Sequence, residues 1–486
     1  MTDTCDVAII GLGPIGATLG NLLGMLGVST ILMDREETTY HLPRAVAYDD
    51  EIMRLFQIMG LADDMQAISE VGSGALFVDN DNNTLVQWDR PMHPTANGWC
   101  PNYRFHQPDL EKVLRNALDR YPAVEQRWSC NVTGLDQDAD GVTLTYDYAG
   151  TTKTLRSAYV VGCDGGRSFT RGQIDAGLLD LGFHEQWLIA DLLLPEPETD
   201  PDRHTYHYCG TPRMGSKVFV GSGRKRWEFR LNADDDPETI CDPASVWGIL
   251  APWITPAEAE LERAAIYTFH SMIADSWQQD RIFIAGDAAH QTPPFMGQGM
   301  CAGLRDAANL AWKLHAVLHQ SAPADLLASY HSERIEHVRA YIELTINLGQ
   351  LINATMRSVT TGGAAAPEDG PQKLSQLKPA LGPGVSAGTM ALVDPLFPQI
   401  DADLDLRVGY RPALICDAEL PPDLMARCRA SGIVPETRPD SDLRNWLQNA
   451  GYGAVLVRPD RIIMGAVAHA DEAARLLPGA WRYANV

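Results

Sequence analysis

Residues 6–34 read DVAIIGLGPIGATLGNLLGMLGVSTILMD. The run 6–10 is apolar and β-rich, and it passes directly into Gly11-Leu12-Gly13-Pro14-Ile15-Gly16. An apolar helix follows to about Leu26, Gly27 ends it, residues 29–33 form a second strand, and Asp34 closes the unit. Strand, glycine turn, helix, strand and acid is the arrangement that holds a dinucleotide. Gly11 permits the tight turn, Gly13 lets the backbone approach a pyrophosphate, and Gly16 lets helix and strand pack closely. The free amides of the helix start, around Pro14 and Ile15, face the phosphates. Asp34, with Arg35 beside it, is placed to take ribose hydroxyls.

A second stretch, residues 281–314, reads RIFIAGDAAHQTPPFMGQGMCAGLRDAANLAWKL. Residues 282–285 are a short apolar strand. Gly286-Asp287-Ala288-Ala289-His290 turns sharply, and Pro293-Pro294 keeps a helix from starting early. A glycine-rich segment from Gly297 through Gly299 and Met300 to Gly303 then enters a helix, in which Leu304, Ala307, Ala308, Ala311, Trp312 and Leu314 recur at helical spacing. This is a second acidic turn followed by a helix start. Asp287 can accept from sugar-like hydroxyls, and the helix amides favour an anion. A third such turn, Cys163-Asp164-Gly165-Gly166, follows the strand at 158–161, with Ser168 and Arg171 after it.

The bulk properties narrow the function. A chain of 486 residues predicts two or three domains. Thirty-nine basic against 63 acidic residues gives a net charge of −24, which argues against nucleic acid or an anionic membrane as partner. Nine scattered cysteines with no CxxC read as reduced thiols rather than disulfides or zinc ligands, and no metal site is expected. The N-terminus lacks signal-peptide character, and no apolar run approaches the roughly 18 residues that span a bilayer. The chain reads as a soluble cytoplasmic protein.

Between the motifs, Arg44 taken alone reads as a surface arginine or a phosphate partner. Gln107 and Pro108 open a helix with Leu110, Val113 and Leu114 on one face. Short strands and turns fill 71–99. From about 180 to 269, strands separated by Pro, Gly and Asp clusters predict an antiparallel sheet. There Tyr206 and His207, and Tyr267 and His270 at a strand end, are candidates for a substrate pocket. Arg224-Lys225-Arg226 is a basic cluster that reads as a solvated turn or an anion-steering patch. Residues 358–378 read as a mobile linker, and a small α/β unit follows from about 379. A single GxGxxG argues against a two-dinucleotide disulfide or quinone reductase.

Taken together, the Gly11–Gly16 turn with Asp34, the Asp164-Gly165 turn with Ser168 and Arg171, and Gly286-Asp287 with Pro293-Pro294 and Gly297-Gln298-Gly299 resemble the flavin-dependent aromatic hydroxylases, the single-component class A flavoprotein monooxygenases. The Gly297–Gly303 run, Arg226-Trp227-Glu228-Phe229 and Val457-Arg458-Pro459-Asp460 look most like the 3-(3-hydroxyphenyl)propionate hydroxylase branch. The resemblance implies an α/β chain in three parts. A discontinuous FAD-binding Rossmann-like domain of the glutathione-reductase type would take 1–70, 100–178 and 275–357. An antiparallel-sheet substrate domain would take 71–99 and 179–274. A thioredoxin-like domain at 379–486, lacking CxxC, would have no redox chemistry.

The resemblance also implies FAD, NAD(P)H and O2 as reactants, a small phenolic substrate, and a homodimer as one possible state. Oxygen would reach the ring from a flavin C4a-hydroperoxide. By position, Gly11, Gly13, Pro14, Ile15 and Gly16 would hold the FAD pyrophosphate, and Asp34 and Arg35 the adenosine end. Arg44 and Gln107 would touch FAD, and Asp164 would serve both FAD and NAD(P)H. Gly286 and Asp287 would bind the ribitol, and Gly297, Gly299 and Met300 would face the pyrimidine, where Cys301 replaces the Asn common in relatives. Pro293 or Pro294 would offer a carbonyl near the reacting groups. No side-chain base is singled out: His290, and equally His270 and Tyr267, are the candidates from the residues themselves. The alternatives are Baeyer–Villiger oxidation or epoxidation of a polyketide-like substrate, and a scaffold without turnover.

Overall fold

A computed structural model of the chain describes residues 3–38, 44–199, 202–210, 213–360, 372–373, 378–388, 396–437 and 442–477. Residues 41–43, and 361–371 and 374–377 of the expected linker, lie outside the described residues. The chain opens with β1 (Asp3–Ile10), α1 (Pro14–Met25) and β2 (Thr30–Met33). Strands β3 (Gly74–Val78) and β4 (Thr84–Asp89) then leave for a second sheet. The chain returns through α2 (Gln107–Leu118), β5 (Val124–Arg127) and β6 (Thr151–Gly162). It leaves again for β7 (Leu178–Leu193), β8 (His204–Tyr208), β9 (Gly215–Phe219), β10 (Arg224–Arg230) and β11 (Glu260–Ala274). Strand β12 (Ile282–Ile284) rejoins the first sheet, and α3 (Gly299–His319) and α4 (Ala328–Thr360) follow. The last unit is β13 (Ala413–Cys416), α5 (Pro422–Ala430), β14 (Val434–Thr437), α6 (Asp442–Asn449), β15 (Ala454–Val457) and β16 (Ile463–Val467).

In the first sheet β12, β6, β1, β2 and β5 lie side by side and parallel. The continuous apolar runs of β1 and β2 follow from this, because a parallel sheet is covered on both faces. The sheet puts the C-terminal ends of β1, β6 and β12 next to one another: Cys163 N donates to Ile10 O, and Ala285 N to Gly162 O. The three acidic or glycine turns therefore emerge at one edge, where ligands of such sheets bind.

The second sheet has nine strands, in the order His290–Gln291, β11, β7, β10, β9, β8, β3, β4, Gln372–Lys373. It is antiparallel through β7–β11 as the spacing predicts, but β3 joins β8 in parallel. The two segments come from distant parts of the chain, so no hairpin fixes their direction. One face packs Leu188, Trp227 and Phe229 under the helix Pro243–Leu250. The other turns Phe77, Trp187, Ile189 and Tyr267 toward Phe295, Met296 and α4. The third sheet runs β16-β15-β13-β14, with β13 parallel to β14 and antiparallel to β15. Its inner face joins the same core as α3 and α4 through Leu414, Leu456 and Val467. Among the described residues no helix is long and apolar enough to cross a membrane.

Candidate functional site

Helices α1 and α3 start side by side. Neither has a side-chain cap, and neither carries an acid in its first turn. Both positive ends are left for an anionic partner. The two starts are joined by Ile15: a Cβ at Gly303 would lie 2.6 Å from its Cγ1, and one at Gly286 2.9 Å. A Cβ at Gly16 would fall 2.0 Å from Gly11 O, and Gly11 itself has φ +104°. Gly13, by contrast, faces open space. The helix α3 also begins earlier than its apolar spacing suggests. Gly297 sits at φ +64°, and Gly299 and Gly303 lie inside the first turns.

A frame of polar side chains holds these turns. Asp34 accepts from Leu12 N at 2.7 Å and from Glu36 N at 3.0 Å. Gln107, the first residue of α2, accepts from Arg44 N and Ala45 N, both at 2.8 Å, and donates to Glu111 at 2.7 Å. Glu111 pairs with Arg115 at 2.8 Å, and Arg115 donates to Leu12 O at 2.6 Å. Burial raises the Glu111 carboxyl, against the opposing effects of Gln107 and Arg115. Asp164 accepts from Ser168 Oγ and from Thr170 N and Oγ1, and Ser168 in turn caps the short helix after this turn by accepting from Arg171 N. Arg171 ties that turn to the next by donating to Ala288 O at 2.9 Å.

His290 lies beneath the Gly286 turn with no exposed side-chain surface. Its Nε2 is 2.8 Å from Asp306, which also accepts from Gly286 N at 3.0 Å and Arg334 Nε at 2.8 Å. Trp277 packs at 5.3 Å from its ring. This is a position in the packed layer, not one facing an opening, and its cause is the strand pairing of His290 with Ile273. Arg44 and Asp287, 3.8 Å apart and about half exposed, border the open side instead. Arg35 is exposed beside Glu36. Pro294 gives its carbonyl to Gly297 N at 2.9 Å. Met300 is half-buried. Cys301 is fully buried with its thiol 3.7 Å from Gly297 O, and burial pushes that thiol well up.

The Pro-Pro turn meets the second sheet through Phe295, whose ring contacts Trp187 at 5.9 Å and Phe183 at 5.7 Å. Strand periodicity divides the four candidate substrate residues between the two faces. His207, stacked on Phe77 at 4.5 Å, and Tyr267 share the face toward Phe295. Tyr206 stacks with Tyr208 on the opposite face, and His270 pairs there with His184 at 2.8 Å. Only His207 and Tyr267 are brought to the turn.

Cross-strand register adds further residues to the face that carries Tyr267. Ile189 opposes Glu228, and Asp191 opposes both Arg226 and Arg263, so these side chains share the face with Tyr267. Arg226 and Arg263 both bind Asp191, at 2.6 and 2.8 Å. Arg224 and Lys225 pair with Glu262 and Glu198. The basic cluster is thus consumed by ion pairs and is not a steering patch. Arg104, from the strand Tyr103–Phe105, reaches the same face through Thr205 Oγ1 at 3.3 Å. Burial lowers the His207 ring to about 4, with Arg104 adding to the effect, and Ser216 Oγ holds its Nδ1 at 2.8 Å.

Residues 4–345 match the family model described as an FAD binding domain. The chain belongs to that family. It is 40% identical to the probable NADH-specific resorcinol 4-hydroxylase of Rhodococcus jostii (strain RHA1), over 81% of this chain and 74% of the relative. It is 34% identical to a 3-(3-hydroxy-phenyl)propionate/3-hydroxycinnamic acid hydroxylase of Mycobacterium sp. (strain JLS), over 96% and 89%. In fold it is similar to aklavinone-11 hydroxylase solved with FAD and aklavinone, at TM-score 0.77, 22% identity and 99% coverage of each chain. A p-nitrophenol 4-monooxygenase from Pseudomonas putida DLL-E4 superposes at TM-score 0.65 and 22% identity, over 76% of this chain and 92% of its own. FAD is the cofactor of this family member, and the two uncapped helix starts with the open approach at Gly13 fit it. A diphosphate is an anion, and a positive helix end suits it.

Proposed function

We propose that this protein is an NAD(P)H- and O2-dependent hydroxylase of a small phenolic aromatic compound. The observation that carries the reading is the convergence at Ile15: two uncapped helix starts joined by one side chain, opening toward an aromatic face of the second sheet. In this reading the amides behind Gly13 hold the pyrophosphate, with Gly11 and Gly16 shaping the turn. Asp34 takes adenosine ribose hydroxyls while its second oxygen keeps Leu12 in place. Asp287 and Arg44, bordering the open side, take the ribitol and a phosphate. The start of α3 at Gly299 and Met300 faces the flavin pyrimidine. A relative named as NADH-specific favours NADH as the reductant.

Bound FAD supplies hydride acceptance and oxygen activation; the chain supplies placement and dryness. A helix end aimed at a partly buried anion stabilises it by up to about 2 kcal/mol. Phe295, Trp187, Phe183 and Tyr267 exclude water around the ring to be hydroxylated. The Pro293 carbonyl, in the turn beside Phe295, is the candidate acceptor, since the Pro294 carbonyl is taken by Gly297 N. The βαβαββ order of the C-terminal sheet supports the thioredoxin-like reading of that unit, and no redox step is assigned to it.

The test is direct. Protein purified with FAD is mixed with NADH and a panel of phenols, and product mass is read alongside NADH consumption. Phenol-dependent NADH oxidation with a product one oxygen heavier and the ring intact supports the proposal. An oxygen inserted beside a carbonyl or across an alkene supports the Baeyer–Villiger or epoxidation alternative. A protein that takes up no FAD ends both.

A further inference from the structure

The face of the second sheet turned toward Phe295 carries a carboxylate that nothing in the proposed mechanism uses. Glu228 lies in the centre of that face, between Ile189 on β7 and Ser216 on β9. Its side chain keeps 14% of its surface, and its one ion-pair neighbour among the described residues, Arg226 Nη1, stands off at 3.9 Å. Arg226 spends its stronger bonds on Asp191, at 2.6 and 3.1 Å. Among the described residues no donor hydrogen-bonds to the Glu228 carboxylate. Burial raises its affinity for a proton, with Arg226 and Arg104 opposing and Asp191 adding to the rise.

Reaching the same face at Thr205 is an arginine with the complementary need. Arg104 donates to Thr205 Oγ1, but its Nε is buried and has no partner. Arg104 and Glu228 act on each other electrostatically and yet form no ion pair. A half-buried carboxylate that no described donor hydrogen-bonds and a buried guanidinium N–H without a partner both suit a third group that bridges them. His207 stands beside them with its charge suppressed and its Nδ1 held by Ser216. Phe77, Trp187 and Tyr267 supply flat apolar walls.

We propose that Glu228 and Arg104 together recognise the second ring hydroxyl of a dihydroxybenzene, at the place where a carboxylated phenol would put its carboxylate, and so select a neutral polyhydroxylated benzene over a phenol that carries a carboxylate. A hydroxyl is the group that satisfies both: its O–H donates to Glu228 and its oxygen accepts from Arg104 Nε. A carboxylate satisfies Arg104 but is repelled by Glu228. The same hydrogen bond makes the ring electron-rich, because donation to a carboxylate moves charge onto the phenol oxygen and into the positions ortho and para to it. No proton leaves the substrate in this step; the hydrogen stays shared. The inference rests on the phenol-hydroxylase reading and adds to it the chemistry of the substrate.

The experiment uses the FAD-loaded enzyme with NADH and two probes, 1,3-dihydroxybenzene and 3-(3-hydroxyphenyl)propionate. Turnover is followed by product mass, and binding by the change in flavin absorbance. Wild type is expected to favour the diol in kcat/KM by about tenfold or more, the scale of one hydrogen bond to a charged group. Glu228→Gln is expected to shrink that ratio about tenfold, mainly through weaker diol binding, with FAD content and uncoupled flavin reduction retained. Arg104→Met is expected to weaken both probes. A wild type that favours the carboxylated phenol overturns the inference, and this arm needs no variant. An unchanged ratio in Glu228→Gln also overturns it while leaving the hydroxylase reading intact. If neither phenol is turned over by wild type, the hydroxylase reading fails and takes this inference with it.

Discussion

Glu333 is a buried glutamate and Glu228 a half-buried one, and their circumstances are opposite. Glu333, on α4, accepts from Asn309 at 2.7 Å, and from Lys313, Arg458 and Val385 N, each at 2.8 Å. Those donors come from α3 and from the C-terminal unit, and they hold the carboxyl well below the usual range despite its burial. Glu228 sits among arginines that have other partners, and its carboxyl is raised. Burial alone therefore does not set the state of a carboxylate here; the number of donors delivered to it does. Where donors are supplied in full, the cluster joins parts of the molecule. Where they are withheld, the site is built for something that brings its own.

The sharpest way to test this contrast is to remove Glu333. Glu333→Ala leaves Lys313 and Arg458 buried without their partner, so a loss of about 3–5 kcal/mol is expected in denaturant unfolding, with the preference between phenols unchanged. The same pairing gives a pH signature. Because the folded-state pKa of Glu333 is depressed, its contribution is present above the unfolded glutamate value and is lost as pH falls below it. Next in size is His207, whose pKa is lowered from 6.5 to about 4 in the folded protein. The unfolded chain takes up this proton first. Stability should thus fall by about 3 kcal/mol as pH drops from 6.5 to 4, and level off below that. Unfolding titrations of wild type against His207→Gln across that window isolate the contribution.

A smaller effect is expected at Glu228 itself. Glu228→Gln removes a half-buried carboxylate whose ion-pair contact is long, at 3.9 Å from Arg226, and should change stability by about 1 kcal/mol or less, in the stabilising direction, while selectivity changes as described above. A stability loss like that at Glu333 would show that Glu228 is structural after all. Smallest is Arg224, paired with Glu262 near the surface, with side chains 29% and 33% exposed. Arg224→Ala should cost about 0.5 kcal/mol or less in thermal unfolding.

The sequence was most readable where chemistry follows a fixed local spacing. The glycine turn at 11–16 with Asp34 carries its structural reason within 29 residues, since strand, turn and helix periodicities all agree there. The braces behind it were less visible. Gln107, Glu111 and Arg115 do recur at four-residue steps on α2, so their shared face was open to inspection. Asp306, which binds Gly286 across a strand-to-helix crossover, obeys no period. The sheet misleads in a different way. In Arg226-Trp227-Glu228-Phe229-Arg230 the polar positions alternate with aromatics, and such a pattern ordinarily means polar out and apolar in. Here both faces are covered, and the polar one is turned inward to Phe295 and α4. The same period of two separates Tyr206 from His207, so the two could not have shared a pocket. Alternation tells which residues share a face, but only the packed partner tells what that face is for.

Ile15, lodged between Gly286 and Gly303, has a consequence for motion. Binding turns are commonly among the first parts of a protein to exchange their amide hydrogens with solvent. Here the Gly286 amide donates to Asp306, whose side chain is fully buried, and the turn is locked to two helices by one apolar wedge. In deuterium oxide the amide of Gly286 should be labelled on the timescale of global unfolding, together with the strand before it. The Gly286 turn would then behave as part of the folding core.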